Sequence, residues 1–544
     1  MKEPSPQDDP GDRSEGGAAV LCEAMDATDT GQSGLPISER ARPELIGLAV
    51  VAVLIGTVTR FVTRSPLWLD EALSVNISQL PLGELTEALR HDGHPPLYYV
   101  LLHGWTSIFG TSDVAVRSMS GVFGLMTIPV VWLLARRKGG PTLGWIAVAV
   151  IAVSPFAVRY SDEARMYALV ILLVTVGWLL IDDLVDRGLV TPWRIGTLTL
   201  VGAALLYSHY WSIWLLVALG LASLWRVWRA ADSPSRRPWL AILLAIVLSG
   251  VLFLPWLPSM LYQSSHTGTP WASPSRPTSA LALMLDDYGG GDYAEQTLGA
   301  ALVAVAFLMG VFGYAIDRRT SGLDLRTRRE FRGAASIAAG TFLIGCAVSI
   351  VSHSAFATRY TAVIFPIVIV TMAAGLSCFA GRWIRFTVVA GACALLSVGA
   401  LWNTVSNRTQ VRAAADLVAA SARPGDIVVF CPDQLAPAGT RVMPEDVTLV
   451  SYPDYGDGRF VDWVDYGERN RASDPAAFAT RVLAEAGPDH AVSVVWSDSY
   501  KTFEGKCTGL IDALAATRSP QALLVEDGDR YFEHVSLTRF APPR

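Results

Sequence analysis

The sequence predicts an α-helical polytopic membrane protein with about 11 spans, followed by a C-terminal extracytoplasmic α/β domain. Of its 544 residues, 51% are hydrophobic and only 17% are charged, whereas soluble domains carry about 25% charged residues. Apolar stretches recur from residue 44 to about residue 402, and the composition then changes to that of a soluble domain. These observations exclude an enzyme that is soluble throughout. The net charge of −6 provides no broad cationic surface, so nucleic acid is not an expected partner.

The N-terminal segment, residues 1–43, is acidic, rich in Gly, Pro and Ser, and free of aromatic residues. Such a composition cannot bury enough apolar surface to fold, so we expect a disordered cytoplasmic tail. The first apolar run, residues 44–62, follows Arg40 and Arg42, and no small-residue cleavage site comes after it. It is therefore typical of an uncleaved signal anchor, and a cleaved signal peptide is the less favoured alternative.

Ten further apolar stretches complete the expected transmembrane domain, residues 44–402. One more stretch, residues 95–109, is about 15 residues long and contains His103, and we expect it to lie along the membrane surface within an outer loop, residues 63–112. The ten stretches are 113–134, 142–159, 164–181, 193–208, 211–226, 238–257, 297–316, 334–352, 360–380 and 384–402.

The distribution of Lys and Arg indicates the orientation. If residues 95–109 do not span and the N-terminus is cytoplasmic, the later inside loops hold 17 Lys and Arg and the outside loops hold six. Basic residues favour the cytoplasmic side of a membrane. We therefore predict a multi-pass protein of the cell membrane with a cytoplasmic N-terminus and an extracytoplasmic C-terminal domain. A span at 95–109 would reverse the orientation of everything after it.

Residues 403–544 alternate helical patterns with short β-branched runs, which predicts a small α/β domain. Its two cysteines, Cys431 and Cys507, would lie where oxidation is permitted. A disulfide between them and two separate buried thiols are equally compatible with the sequence. The expected strands are 426–431, 447–452, 491–496, 522–525 and 532–537, and the expected helices are 409–422, 475–486 and 507–517.

Two adjacent carboxylates, Asp70 and Glu71, follow the first span within Trp-Leu-Asp-Glu-Ala. At the outer water–lipid boundary the surroundings can raise the pKa of a carboxylate and make it a better base, so both are catalytic candidates. The alternative is a solvated pair that caps a helical turn, and sequence position alone does not decide between the two.

A second charged cluster, residues 159–167, lies in the expected outside loop between the third and fourth spans. Its arginines, including Arg165, can bind a phosphate while Asp162 and Glu163 orient a hydroxyl group. A salt-bridged turn is the alternative, but charges so close to hydrocarbon are costly, which favours a functional role.

Three weaker candidates lie at other outer boundaries of the expected spans. Aromatic and histidine side chains at such positions are usually membrane-boundary anchors. Their value as substrate-binding candidates is that all lie on the same face of the membrane as the carboxylates. They are His209, Arg359 and Tyr360.

Four motifs, taken in order, resemble those of the GT-C glycosyltransferases. Within that superfamily, residues 44–400 resemble the protein mannosyltransferase and lipid A aminoarabinose transferase branch, the family 39 type. The motifs are Trp-Leu-Asp-Glu-Ala after the first span, His-Pro-Pro-Leu-Tyr-Tyr from His94, Phe-Gly-Thr-Ser from Phe109 leading to Arg117, and Tyr-Ser-Asp-Glu-Ala-Arg-Met-Tyr from Tyr160.

The resemblance implies an inverting transfer of a sugar from a polyprenyl-phosphate carrier on the outer side of the membrane. The family's aspartate in the first outer loop corresponds to Asp70, which would deprotonate the acceptor hydroxyl. A lipid phosphate is a good leaving group that needs charge stabilisation, so one base and a cationic clamp suffice. The candidate clamps are His94, Arg165 and Arg359, with Arg117 behind them. His94 stands where the aminoarabinose transferases carry a lysine, so its charge depends on pH.

The expected sugar is mannose- or arabinose-like, and the expected acceptor is a glycan, glycolipid or protein of the cell envelope. Some members of the family use a divalent metal and others do not; Asp70, Glu71, Asp162 and Glu163 are the oxygen ligands available here.

Two other function classes compete with a transferase. A polytopic transporter or lipid-linked sugar flippase would also use about eleven spans, but transporters usually place ionisable residues in mid-membrane. Here the charges gather at the outer ends of the spans. A membrane-anchored binding protein would leave the motifs around Asp70 and Glu163 unexplained.

Overall fold

The computed structural model describes residues 42–543 with the exception of residues 63, 270–273, 292–295 and 327–328. The chain is mostly helical, and five of the seven described strands lie after residue 426. Residues 1–41 of the expected N-terminal tail lie outside the described residues.

Three short helices lie between the apolar helices Pro43–Thr59 and Asp113–Val153, where the sequence predicts the outer loop. The last of them, α4, has 13 residues and is about 20 Å long at 1.5 Å per residue, shorter than a hydrocarbon core of about 30 Å. It is also not apolar enough to be grouped with the candidate spans, which agrees with a position along the membrane surface. The first helices are α1 (Pro43–Thr59), α2 (Leu69–Ser78), α3 (Leu82–Asp92) and α4 (Leu97–Phe109).

Each of the eleven expected spans coincides with a helix or part of one. The helices that follow the outer loop are α5 (Asp113–Val153), α6 (Pro155–Ser161), α7 (Tyr167–Val185), α8 (Pro192–Ser208), α9 (Ser212–Arg229), α10 (Ser233–Phe253), α11 (Leu257–His266), α12 (Pro277–Gly289), α13 (Gln296–Phe312), α14 (Arg329–Val351), α15 (Phe365–Leu376) and α16 (Arg382–Val405). Between them lie 3-10 helices at Leu254–Trp256 and Thr358–Val363 and a small antiparallel pair, β1 (Gly313–Ala315) and β2 (Ser321–Leu323).

Six segments of the described chain are long and apolar enough to cross a membrane: α5, α7, α9, the run from Ser233 to His266, α14 and α16. Helices α1, α13 and α15 are apolar but shorter. Length and composition therefore support a multi-pass membrane protein, and the number of spans stays a prediction.

Helix α5 contains the expected span 113–134 and most of the expected span 142–159, joined across a kink. The backbone leaves helical geometry at Gly139 and Gly140, and Gly140 has a φ of +77°. Glycine adopts this left-handed conformation without the steric cost that other residues pay, so the chain changes direction here.

Helices α13 and α15 approach each other through two glycines. A Cβ on Gly310 would lie 1.9 Å from the carbonyl oxygen of Thr371, and a Cβ on Gly375 would lie 1.9 Å from that of Ala306. Small residues let helix backbones meet closely in membranes. Since α15 follows directly on the 3-10 helix Thr358–Val363, this contact also helps to place that helix.

The chain after α16, residues 406–543, forms a C-terminal unit around a five-stranded sheet. The strand order is β4-β3-β5-β7-β6, with β3 parallel to β4 and β5, and β7 antiparallel to β5 and β6. Alternate residues of β3 face two hydrophobic cores, one against α20 and α21 and the other against α17. The elements are α17 (Val411–Ser421), β3 (Ile427–Cys431), α18 (Ala436–Gly439), β4 (Thr448–Ser451), α19 (Tyr466–Ala472), α20 (Pro475–Ala486), β5 (Val492–Trp496), α21 (Lys506–Ala515), β6 (Pro520–Leu524) and β7 (Ser536–Phe540), with a 3-10 helix at Asp433–Leu435.

The predicted strands and helices of this unit lie within two residues of observed ones, except the last strand, and the short helices α18 and α19 were not among the predictions. Cys431 and Cys507 are joined by a disulfide, which selects one of the two alternatives that the sequence leaves open. The last strand was expected at 532–537 but runs from Ser536 to Phe540. The residues before it take another course because Glu533 forms a parallel bridge with Thr409.

The C-terminal unit packs directly on the outer loop. Trp68 and Leu69, at the start of α2, are each only 7% exposed and belong to the same core as α20 and α21. Further along α2, the side-chain amide of Asn76 donates to the carbonyl oxygen of Arg459 at 2.7 Å. The first turn of α2 is therefore enclosed by residues from both halves of the chain.

We predict that Gly375→Ala destabilises the protein, because the added methyl group overlaps the backbone of α13. Overpacking of this kind costs about 1–3 kcal/mol, so the thermal unfolding midpoint in detergent should fall by several degrees. Gly391→Ala in α16 is the matched control, since a Cβ there meets nothing within 4 Å. Equal midpoints for the two variants would contradict the close contact between α13 and α15.

Candidate active site

The first turn of α2 carries two acids that meet different partners. The helix begins at Leu69 after Trp68, whose backbone is extended, with φ −91° and ψ 176°. The helix dipole favours negative charge near a helix N-terminus, which suits Asp70 and Glu71. Successive residues of an α-helix are rotated by about 100°, so the two carboxylates point to different sides.

Asp70 faces two arginines. Its Oδ2 lies 3.3 Å from Nη1 of Arg359 and 3.9 Å from Nη2 of Arg165. The Asp70 side chain is 18% exposed. Arg359 comes from the 3-10 helix before α15, and its guanidinium lies 5.7 Å from the centre of the Trp68 ring, within cation–π range. A partly open carboxylate thus adjoins two cations from distant segments.

Glu71, by contrast, is fully enclosed. Its two oxygens accept hydrogen bonds from Nε and Nη2 of Arg117 at 2.7 and 2.5 Å, and Oε1 also accepts the Ala164 N–H at 2.9 Å. Burial alone raises the pKa of Glu71, but the charge and hydrogen bonds of Arg117 outweigh it, so the pKa is lowered. Arg117 also donates to the carbonyl oxygen of Ser65 at 2.7 Å. Glu71 is therefore a fixed anion that joins the outer loop to α5.

Arg165 is buried and held mainly by neutral groups. Its Nη1 donates to the hydroxyl oxygens of Ser74 at 2.9 Å and Tyr99 at 3.2 Å, and its Nη2 donates to Nε2 of His94 at 2.8 Å. Since Nε2 of His94 accepts, its Nδ1 carries the proton and donates to Oδ2 of Asp92 at 2.7 Å. His94 thus orients the Arg165 guanidinium, whose Nη2 also lies 3.9 Å from Oδ2 of Asp70.

Asp162 and Glu163 lie in the turn between α6 and α7, behind the first turn of α2. Oε2 of Glu163 accepts from Nη1 of Arg408 at 3.0 Å. Burial raises the pKa of Asp162 to about 7, although the charges of Arg117 and Arg408 lower it. Burial likewise raises the pKa of Glu163. Both side chains are buried, so neither acid is an open base.

His209 and Tyr360 form an aromatic wall. Their ring centroids are 5.2 Å apart, and the wall continues to Tyr167 and Trp211 at 5.6 and 5.7 Å. Burial lowers the pKa of His209 well below its ordinary value, and the positive charges nearby lower it further. His209 is therefore neutral and presents a flat aromatic surface beside the cationic pair.

Two residues of the C-terminal unit reach this region and are absent from the sequence-based candidates. Arg408 pairs with Glu163, and Oε1 of Glu533 accepts the N–H of Leu69 at 3.1 Å. Glu533 is 2% exposed, and burial together with the acids of α2 raises its pKa to about 8. No local pattern marks either residue. The only available signal is that Arg408 is the first cation after the last apolar helix.

The carboxylates do not present a metal-ligand set. Within the described residues, no group of three or more His, Cys, Asp or Glu side chains is placed to hold a metal ion. Asp70, Glu71 and Glu163 each face an arginine instead. We therefore assign no catalytic step to a divalent ion.

The structure brings the nine sequence candidates into one region and gives them different partners. Asp70, Arg165 and Arg359 meet at one point, and His94 lies behind Arg165. The aromatic pair forms a side wall, and the three remaining acids are enclosed. The enclosed acids are Glu71, Asp162 and Glu163.

Comparison with known proteins gives a family match for the middle of the chain. Residues 93–258 match the family described as dolichyl-phosphate-mannose-protein mannosyltransferase. This range contains five of the candidates and excludes Asp70, Glu71, Arg359 and Tyr360. No curated protein matches the chain.

Two solved structures of ArnT from Cupriavidus metallidurans share the fold over almost the entire chain. The structure bound to undecaprenyl phosphate matches with a TM-score of 0.55 and 13% identity, and the apo structure with 0.56 and 12%. Each match covers 92% of this chain and 99% of ArnT. The arabinofuranosyltransferase AftD from Mycobacteria matches with a TM-score of 0.45 and 13% identity, over 94% of this chain and 40% of AftD.

The resemblance that the motifs predict is thus confirmed at two levels. The middle of the chain matches a protein mannosyltransferase family in sequence, and nearly the whole chain shares the fold of ArnT. The protein resembles the GT-C membrane glycosyltransferases of the protein mannosyltransferase and aminoarabinose transferase branch.

Proposed function

We propose that this protein is an integral-membrane inverting glycosyltransferase. It moves a mannose- or arabinose-like sugar from a polyprenyl-phosphate donor to a glycan, glycolipid or protein acceptor of the cell envelope, on the outer face of the membrane. The observation that carries this proposal is the contact of the partly exposed Asp70 carboxylate with Arg359 at 3.3 Å, with Arg165 next to it. The proposed base, Asp70, thus lies next to the two arginines that would bind the donor phosphate.

In the proposed reaction, the acceptor oxygen bonds to the anomeric carbon as the bond from that carbon to the phosphate oxygen breaks. The proton of the acceptor hydroxyl passes to Asp70. The electron pair leaves with the polyprenyl phosphate, whose additional charge Arg165 and Arg359 neutralise. A single displacement of this kind inverts the configuration of the anomeric carbon.

The remaining candidates take supporting roles in this proposal. Glu71 was expected to be catalytic together with Asp70, but its enclosed carboxylate has no open oxygen for a substrate, so we assign it to positioning. Asp162 and Glu163 are enclosed as well and support the first turn of α2. His209 and Tyr360 offer aromatic faces against which a sugar ring or prenyl chain can pack.

Two comparisons support a lipid-linked donor. The matching family is described by the substrate dolichyl-phosphate-mannose, and one ArnT structure is bound to undecaprenyl phosphate. Both compounds are polyprenyl phosphates, so the shared chemistry is a long prenyl chain that ends in a phosphate.

The proposed topology has eleven spans in the cell membrane, a cytoplasmic N-terminus and the C-terminal unit outside. The excess of Lys and Arg in the inside loops, 17 against six, supports this orientation. The surface helix α4 supports it as well, because a span at that position would invert the later segments.

We expect Asp70→Asn to abolish transfer while leaving donor binding intact. The amide keeps the size of the side chain but accepts no proton, and a general base contributes about 10²–10⁴-fold to rate. Transfer would be measured in purified protein with polyprenyl-phosphate mannose and polyprenyl-phosphate arabinose as donors, and binding with undecaprenyl phosphate.

The control for this experiment is Glu84→Gln, which removes an exposed acid from the first turn of the neighbouring helix α3. That variant should transfer sugar at the wild-type rate. If Asp70→Asn transfers as fast as the wild type, the assignment of the base is wrong.

The orientation is tested by cysteine labelling in intact cells. A cysteine at the exposed position Ala472, in the C-terminal unit, should react with a membrane-impermeant maleimide. A cysteine at the exposed position Ala231, between α9 and α10, should react only after the cells are permeabilised. The reverse pattern would place the C-terminal unit in the cytoplasm and contradict the proposed topology.

A further inference from the structure

We propose that Glu533, in the C-terminal unit, is a positioning residue for Asp70. This inference rests on the proposed function and assigns the C-terminal unit a task in the same reaction. Asp70 follows Leu69, and the N–H of Leu69 donates to Oε1 of Glu533 at 3.1 Å. The C-terminal unit thus supplies a hydrogen bond one residue away from the base.

The bond fills a gap at the start of α2. The first N–H groups of a helix have no partner within the helix and are usually satisfied by the side chain of the preceding residue. Here that residue is Trp68, which makes no capping hydrogen bond. Its indole instead packs in the core of the C-terminal unit and against Phe532, with ring centroids 5.6 Å apart. Glu533 therefore takes over the capping function from a residue that is occupied elsewhere.

Glu533 itself is held rigidly. Its N–H donates to the carbonyl oxygen of Arg408 at 2.8 Å, and its carbonyl oxygen accepts the N–H of Gln410 at 2.9 Å. Its side chain is only 2% exposed. Both backbone groups are thus tied to the linker after α16, so the carboxyl group has little freedom to follow a displaced helix.

The same contact reaches the cation that faces Asp70. The Trp68 ring contacts both Phe532 and the guanidinium of Arg359, at 5.6 and 5.7 Å from its centre. A shift of the first turn of α2 therefore changes both the position of Asp70 and its distance to Arg359. Misplacement of a reacting group by about 1 Å can cost up to about 10²-fold in rate.

The role requires an acceptor oxygen at the right distance and does not require a charge. Glu533→Gln keeps a carbonyl oxygen at that position, whereas Glu533→Asp keeps the charge on a side chain one methylene shorter. Since burial raises the pKa of Glu533, the neutral amide is also close to the form present at neutral pH.

We expect Glu533→Gln to keep kcat within about threefold of the wild type. We expect Glu533→Asp and Glu533→Ala to lower kcat about ten- to hundredfold, with KM for the donor within about threefold.

The kcat values would be normalised to the number of sites that bind undecaprenyl phosphate, which removes the effect of unfolded protein. The matched control is Glu485→Ala, which removes another hydrogen-bonded carboxylate of the C-terminal unit, one that accepts the Tyr455 hydroxyl at 2.6 Å. It should leave kcat and KM unchanged.

The order of the two conservative variants decides the result even if Glu533→Ala fails to fold. Equal kcat for Glu533→Gln and Glu533→Asp, or a higher kcat for Glu533→Asp, would overturn the positioning role. Asp70→Asn is measured in parallel. If it is inactive while Glu533→Asp is fully active, the positioning role alone fails; if Asp70→Asn is fully active, the proposed base fails.

Discussion

The buried ion pair between Glu71 and Arg117 is the interaction on which the candidate site depends. The acid uses both oxygens on the guanidinium and also accepts the N–H of Ala164, while Arg117 donates to the loop carbonyl of Ser65. One pair thus joins the loop, α5 and the turn before α7. Removing one partner of such a pair costs about 3–5 kcal/mol, because it leaves a buried charge unpaired. Asp70 directly precedes Glu71 in the helix, so the position of Asp70 depends on this pair.

The helix geometry of α2 gives two adjacent acids opposite environments. Glu71 points inwards and is closed, whereas Asp70 points to a partly exposed space with two arginines. The closed acid provides rigidity and the open acid is free to react. The C-terminal unit contacts both sides of this helix turn. Glu533 accepts the N–H of Leu69 at its start, and Arg408 pairs with the enclosed Glu163 behind it.

Sequence patterns could predict the apolar helices, most of the C-terminal strands and the acids of α2, because each depends on local composition or on a short motif. They could not predict which acid is open, since a one-residue step changes the direction of a helical side chain by about 100°. The contact of His94 with Arg165 joins positions 71 residues apart and depends on how the predicted outer loop packs against the turn before α7. Glu533 could not be foreseen either, because it reaches the site only through the docking of the C-terminal unit.

The most direct test of the central claim is a cryo-EM structure of the protein with undecaprenyl phosphate. The account predicts that the phosphate lies within hydrogen-bond distance of Arg359 or Arg165, next to the Asp70 carboxylate, with the prenyl chain leading into the bilayer. A phosphate bound instead in the cavity between α7, α8, α9 and α10, whose lining includes Lys138 and Arg226, would contradict it. In that case the cationic pair beside Asp70 would not be the donor site.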